Sequence, residues 1–197
     1  MPVAAAAFAI FCNAKASDVP ALAGARLIPP PAGFISFCLR FPDQCDAPAN
    51  EPMTVSLDSA RWRLLRRVNT AVNQTIWPED DTSHYGRPEY WTIPSDGYGD
   101  CEDYALTKRR DLILAGFPRR ALRIAIAETP LNGRHAVLIV MTESGAFILD
   151  NLLDAIVEIH QSAYRWIEQQ DASNPRAWIT LTDPTTSGAA TAVGSVK

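Results

Sequence analysis

Gly99-Asp100-Cys101-Glu102-Asp103-Tyr104-Ala105 is the stretch on which the fold turns. A loop rich in Gly, Asp, Pro and aromatics ends there and a helical pattern begins, running from about Cys101 to Ala115. Gly116 is a natural helix stop and Pro118 follows it. Upstream, Leu57, Leu64, Leu65, Val68, Val72 and Ile76 keep the three-four spacing of one apolar helical face, which predicts a helix from about Thr54 to Ile76. Thr54, Ser56 or Asp58 is available as its cap, and Pro78 ends it. The intervening Trp77–Gly99 segment has no clear periodicity. A loop of that length inside a compact domain is usually functional, and its position predicts a wall of the site. Downstream come strand patterns at Leu122 to Ala127, His135 to Met141 and Ala146 to Asp150, the last two joined by a turn at Thr142-Glu143-Ser144-Gly145. Shorter apolar pieces follow at 156–159, 164–167 and 178–181. Helices followed by strands predict an α+β fold, with helices packed on an antiparallel sheet.

The same stretch carries chemistry. A cysteine at a helix start has partial positive charge and free N–H groups beside its sulfur, which favour the thiolate. A thiol nucleophile also needs a base and a group to orient the base. His135 heads one strand and Asp150 ends the next. A hairpin centred on Ser144-Gly145 makes opposed residue numbers sum to about 287, so His135 falls opposite Leu152 with Asp150 as a diagonal neighbour. The blander readings are a buried structural cysteine, a surface or core histidine and a strand-end turn aspartate. Asp100, Glu102 and Asp103 weaken the first of these, because they surround the thiol with polar groups. They also raise a difficulty: three carboxylates beside a thiolate push its pKa up unless a cation offsets them. The indole N–H of Trp91 is a candidate oxyanion donor, with a packed aromatic wall as the alternative.

Composition narrows the classes. The chain has 197 residues, 47% apolar and 20% charged, which suits one packed domain with tails. A net charge of −4 argues against a nucleic-acid partner. Val3 to Phe11 is a short apolar run and Ala14-Lys15-Ala16 a small-x-small cleavage pattern, so residues 1–16 read as a signal peptide, although no Lys or Arg precedes the run. Residues 17–33, with Pro29-Pro30-Pro31, read as a linker, 34–181 as the domain and 182–197 as a disordered tail. Of the four cysteines, Cys12 would leave with the signal, Cys38 and Cys45 would pair in an oxidising compartment, and Cys101 would stay free. In the cytosol Cys38 and Cys45 would instead be separate thiols. Zinc is disfavoured, since no second Cys or His pair lies at ligand spacing.

Taken together, several pieces resemble the bacterial transglutaminase-like cysteine peptidases, the LapG-like family of periplasmic adhesin-releasing proteases. They are Phe37-Cys38 with Cys45, Val68-Asn69-Thr70-Ala71-Val72-Asn73, Tyr90-Trp91, residues 99–105, Gly133-Arg134-His135-Ala136-Val137-Leu138 and Leu149-Asp150-Asn151. The similarity spans roughly Phe34 to Trp178. It implies a transglutaminase-like, papain-type fold and a Cys101-His135-Asp150 triad. It also implies calcium at Asp100 and Glu102, to which Asp103 and an oxygen of the Trp77–Gly99 loop are natural additions. A periplasmic or secreted cysteine endopeptidase is expected, with a secreted or surface adhesin-like protein as substrate and a membrane receptor as regulator. The alternatives are an amidase or transglutaminase-like acyltransferase on the same triad, or a non-catalytic binding module.

Overall fold

A computed structural model describes residues 25–181; the expected signal peptide, residues 17–24 of the expected linker and the expected tail lie outside them. Strand β1 (Leu27–Ile28) opens the described chain, followed by helix α1 (Ala32–Arg40) and a short 3₁₀ turn, Pro42–Gln44. Helix α2 (Ser59–Thr75), strand β2 (Trp77–Pro78), helix α3 (Asp81–Tyr85) and strand β3 (Tyr98–Gly99) lead to helix α4 (Cys101–Leu114). Strands β4 (Leu122–Thr129), β5 (Gly133–Thr142), β6 (Gly145–Leu149), β7 (Val157–Glu158), β8 (Arg165–Gln170) and β9 (Trp178–Thr180) complete the order. The main sheet has seven strands in the order β1-β9-β8-β4-β5-β6-β7, every neighbouring pair antiparallel. The fold is α+β, with helices against a mostly antiparallel sheet.

Helix α4 is the spine. Glu102 through Arg109 are all buried, so the helix runs through the interior and not along the surface. It lies against β5, whose Ala136 to Met141 are buried on both faces, as a continuous apolar strand requires. Val137, Leu138, Ile139, Val140, Ala105 and Leu112 form the main core with Leu65, and Val72, Ile76 and Tyr104 seal α2 onto α4. A second core gathers Phe34, Phe37, Trp91 and Trp178 with Cys38 and Cys45. Those two cysteines are bonded to each other, which ties the end of α1 to the 3₁₀ turn.

Three local expectations change. The helix predicted from Thr54 starts at Ser59, because Asp58 accepts from the Arg61 N–H at 2.8 Å and caps it. Val55 instead bridges to Thr142 in extended form. Leu27 and Ile28, expected in the linker, pair with Ile179 and Trp178 at the sheet edge. The Trp77–Gly99 segment, expected as loop, contains α3 and a small parallel pairing of Trp77-Pro78 with Tyr98-Gly99. The β5–β6 hairpin has the register read from the sequence: Leu138 opposes Leu149.

Candidate active site

Cys101 begins α4 and is partly exposed, the free cysteine among the described residues. Its sulfur accepts from the Ala136 backbone N–H on β5 at 3.3 Å and donates to Glu102 Oε2 at 3.3 Å. The helix start and β5 therefore meet at the sulfur. His135 precedes Ala136 and is almost fully buried. Its Nε2 lies 2.8 Å from Asp150 Oδ1, which follows the last residue of β6. With Nε2–H directed at a carboxylate, Nδ1 is the nitrogen left with a lone pair to act as base. Cys101, His135, Trp91, Glu89, Glu102, Arg134, Ile126, Ala136, Pro31 and Ala32 line one cleft of about 310 Å³.

Asp150 is held from several sides. Its Oδ1 also accepts the Leu152 N–H at 2.9 Å, and its Oδ2 accepts the Tyr164 hydroxyl at 2.6 Å. Burial alone would push this carboxyl up, but the His135 hydrogen bond and charge, the Leu152 amide and the Tyr164 hydroxyl hold it below the usual carboxylate range. Tyr164 was not singled out in the sequence. It lies 14 residues beyond Asp150 across β7 and a 3₁₀ turn, and only the sheet order returns it to the site. Its ring meets His135 edge-on, 6.2 Å between centroids.

The acids form two overlapping groups that share Asp100, one with Cys101 and Glu102 and one with Asp81 and Asp103. Asp81, Asp100 and Asp103 bring one carboxylate oxygen each within 4.8 Å of one another. Asp81 Oδ1, Asp100 Oδ1 and Asp103 Oδ2 are buried without a hydrogen-bond partner among the described residues. The other oxygens of Asp81 and Asp103 are anchored, one by the Tyr90 N–H and the other by the Thr92 N–H at 2.7 Å. Gly99 leaves the room for this cradle: a Cβ there would sit 2.6 Å from Asp103 Oδ2. Burial first, then the neighbouring acids, pushes Asp81 and Asp100 up and Asp103 up to about 8. Three converging, unpaired hard oxygens fit calcium or magnesium. Glu102, expected in that set, brings a carboxylate oxygen within 4.8 Å of one from Asp100 and of the Cys101 sulfur, accepts from the thiol, and is pushed up to about 10 by burial and Asp100. Burial and then the charge of Glu102 likewise push the Cys101 thiol well above its ordinary value. Asp81 is a candidate for the loop oxygen that the sequence reading added to the calcium set.

Trp91 lines the cleft, but its indole N–H donates to Glu89 Oε2 at 3.0 Å and the residue is 1% exposed. The donor expected for an oxyanion is therefore engaged, and Trp91 is the packed wall. Phe34 and Trp178 meet it at 5.8 and 6.2 Å between ring centroids.

The family model for bacterial transglutaminase-like cysteine proteinases matches residues 25–186. The chain belongs to that family. Among solved structures it is similar to LapG of Legionella pneumophila at 30% identity and a TM-score of 0.50, over 59% of this chain and 66% of that one. The calcium-bound form of the Legionella protein matches with the same identity and TM-score over 59% of this chain and 68% of that one. The EGTA-treated form matches at 29% identity and 0.53, over 68% and 76%. The chain thus spans about two thirds of the first of these relatives. No curated protein matches. A family of cysteine proteinases makes this chain a cysteine peptidase, and a peptidase takes a protein substrate. No described helix is long and apolar enough to cross a membrane.

Proposed function

We propose that the chain is an exported cysteine endopeptidase that cleaves a secreted or surface, adhesin-like protein with a Cys101-His135-Asp150 triad. The observation that carries the reading is the buried His135–Asp150 pair, 2.8 Å apart, whose histidine lines the same cleft as Cys101. His135 Nδ1 takes the thiol proton and the thiolate attacks the scissile carbonyl carbon. The amide nitrogen leaves with the proton returned by the imidazolium, giving a free amine and a thioester on Cys101. Water, deprotonated by His135, then releases the acid and regenerates the thiol. Asp150 keeps its proton partner oriented throughout and supports the imidazolium. The backbone N–H of Cys101, in the first turn of α4, is the oxyanion donor that replaces the engaged Trp91 indole.

Asp81, Asp100 and Asp103 would hold calcium, which supplies the positive charge that offsets the carboxylates around the thiol. Glu102 has a separate part: it takes the thiol hydrogen bond until His135 withdraws the proton. The existence of calcium-bound and EGTA-treated forms of the similar Legionella protein supports testing this ion first. The Cys38–Cys45 bond supports an oxidising compartment, hence a periplasmic or secreted location. A membrane receptor as regulator follows from the family resemblance alone.

The test is incubation of the purified full chain with the surface proteins of its own cells, with and without an added primary amine. New termini carrying a free carboxylate support the peptidase. Amine-capped termini as the main product would favour acyl transfer instead. Undiminished cleavage by a folded Cys101→Ala chain would contradict the thiol mechanism.

A further inference from the structure

Helix α2 turns Leu65, Asn69 and Val72 inward. At about 100° per residue, Arg63, Arg66 and Arg67 stand on the opposite side, and all three are exposed. The ion-paired arginines among the described residues are Arg110, Arg134, Arg165 and Arg176, so none of these three has an acid of its own. The helix cannot supply one: it contains no Asp or Glu, and its cap, Asp58, is engaged by the Arg61 N–H. Arg63 is three residues from Arg66 and four from Arg67, the spacings at which side chains on a helix meet and like charges repel. The helix dipole does not compensate, because it favours bases in the last turn and α2 has none there. The stripe works against the helix that carries it, and an anion from outside relieves that repulsion.

The stripe is remote from the cleft. The end of α2 near Cys101 is its C-terminus, where the Tyr104 hydroxyl, from the first turn of α4, donates to the Ile76 carbonyl at 2.5 Å. Arg63 stands about 20 Å back along the helix axis, at about 1.5 Å per residue. Ahead of α2, Val55 bridges to Thr142 at the end of β5, whereas His135 lies near the start of that strand. The spacing selects the partner's shape as well as its charge. Arg63 and Arg67 are about 6 Å apart along the axis, and alternate residues of an extended chain are about 6.6 Å apart. Guanidiniums take carboxylates through paired N–H groups. A bilayer suits the stripe less well. The chain carries −4 with these three arginines and so −7 without them, and a broad anionic surface would face that acidic remainder too. Nor does α2 expose a large apolar side chain to insert.

We propose that Arg63, Arg66 and Arg67 form a docking stripe for an acidic, extended segment of a protein partner, with carboxylates on alternate residues. The contact is held by charge and register at a distance from the cleft, so a docked partner leaves the Cys101 thiol accessible. It depends on ionic strength and on acids in place of their amides.

The test is fluorescence anisotropy with the full Cys101→Ala chain, which binds without cutting, and a labelled peptide of five glutamates alternating with serines. The peptide should bind at low salt and be released as ionic strength rises. Combining Arg63→Gln, Arg66→Gln and Arg67→Gln should weaken binding about tenfold, the effect of three exposed ion pairs. The melting temperature of that variant should hold or rise, because the repulsion within α2 is gone. The same peptide with glutamine in place of glutamate should not bind. Equal affinity in the triple variant, or equal binding of the glutamine peptide, would overturn the proposal. So would capture of the chain by phosphatidylglycerol vesicles without binding of the peptide, which would make the partner a bilayer. Nothing is cleaved in this assay, so its failure is distinct from a failure of the proposed triad.

Discussion

At the residue scale the site is a contest between burial and charge. Cys101 and its neighbours Asp100, Glu102 and Asp103 are all pushed toward their protonated forms, chiefly because water is excluded. Asp103, raised to about 8, contributes stability that is complete below the unfolded carboxylate value near 4 and is lost as pH climbs towards 8. In EGTA the melting temperature should therefore fall between pH 5 and pH 8. Calcium should remove most of that fall, and Asp81→Asn or Asp103→Asn should abolish the calcium response; an unchanged calcium response in both variants would contradict the assignment of the ligands. Asp150 has the opposite sign. Its lowered value contributes stability above the unfolded carboxylate range that is lost as pH falls through the folded value. Removal of Tyr164's hydroxyl weakens that hold, so Tyr164→Phe should lower kcat several-fold and move the acid limb of the rate profile upward, with little change in KM. Cys101→Ala and His135→Ala should abolish turnover, whereas Asp150→Ala should leave a weak residue of it, since an orienting carboxylate contributes less than nucleophile or base.

At the element scale, α1 shapes the cleft without supplying chemistry. Gly33 lies against Trp91 and Glu89: a Cβ there would come within 2.3 Å of Trp91 Cδ1 and 2.7 Å of the Glu89 carbonyl. Glu89 itself holds a left-handed φ of 55°, which a non-glycine residue keeps only under constraint. Gly33→Ala should displace the wall and lower both melting temperature and turnover, and thermal melts with peptide cleavage check it. The Cys38–Cys45 bond closes a short loop, so its loss by Cys38→Ser with Cys45→Ser should cost about 2 kcal/mol, read as a lowered denaturation midpoint. Helix α2 and the β5–β6 hairpin were legible because each has a strong period or turn signal, and α4, buried all round, because Gly116 and Pro118 mark its end. Helix α1 was not, since its start at Pro31-Ala32 has no side-chain cap and looks like a Pro-rich linker. The β2–β3 pairing was also hidden, because two-residue strands leave no pattern.

At the scale of the whole molecule, local pattern brought Cys101, His135 and Asp150 into one reading because a helix start and one hairpin suffice to join them. Residues joined by the full sheet order, such as Tyr164, or by the return of a long segment onto α4, such as Asp81, needed three dimensions. Trp91 shows the reverse: the residue type was right for an oxyanion donor, but Glu89 and the aromatic core had already fixed its N–H. The central claim is that this assembly cuts exported proteins through the Cys101 thiol. Mass spectrometry of protein termini, on surface fractions treated with the wild-type chain and with folded Cys101→Ala in calcium, tests it most directly. The account predicts discrete new termini with the wild type, none with Cys101→Ala or His135→Ala, and a trace with Asp150→Ala. The same termini at the same rate from Cys101→Ala would contradict it.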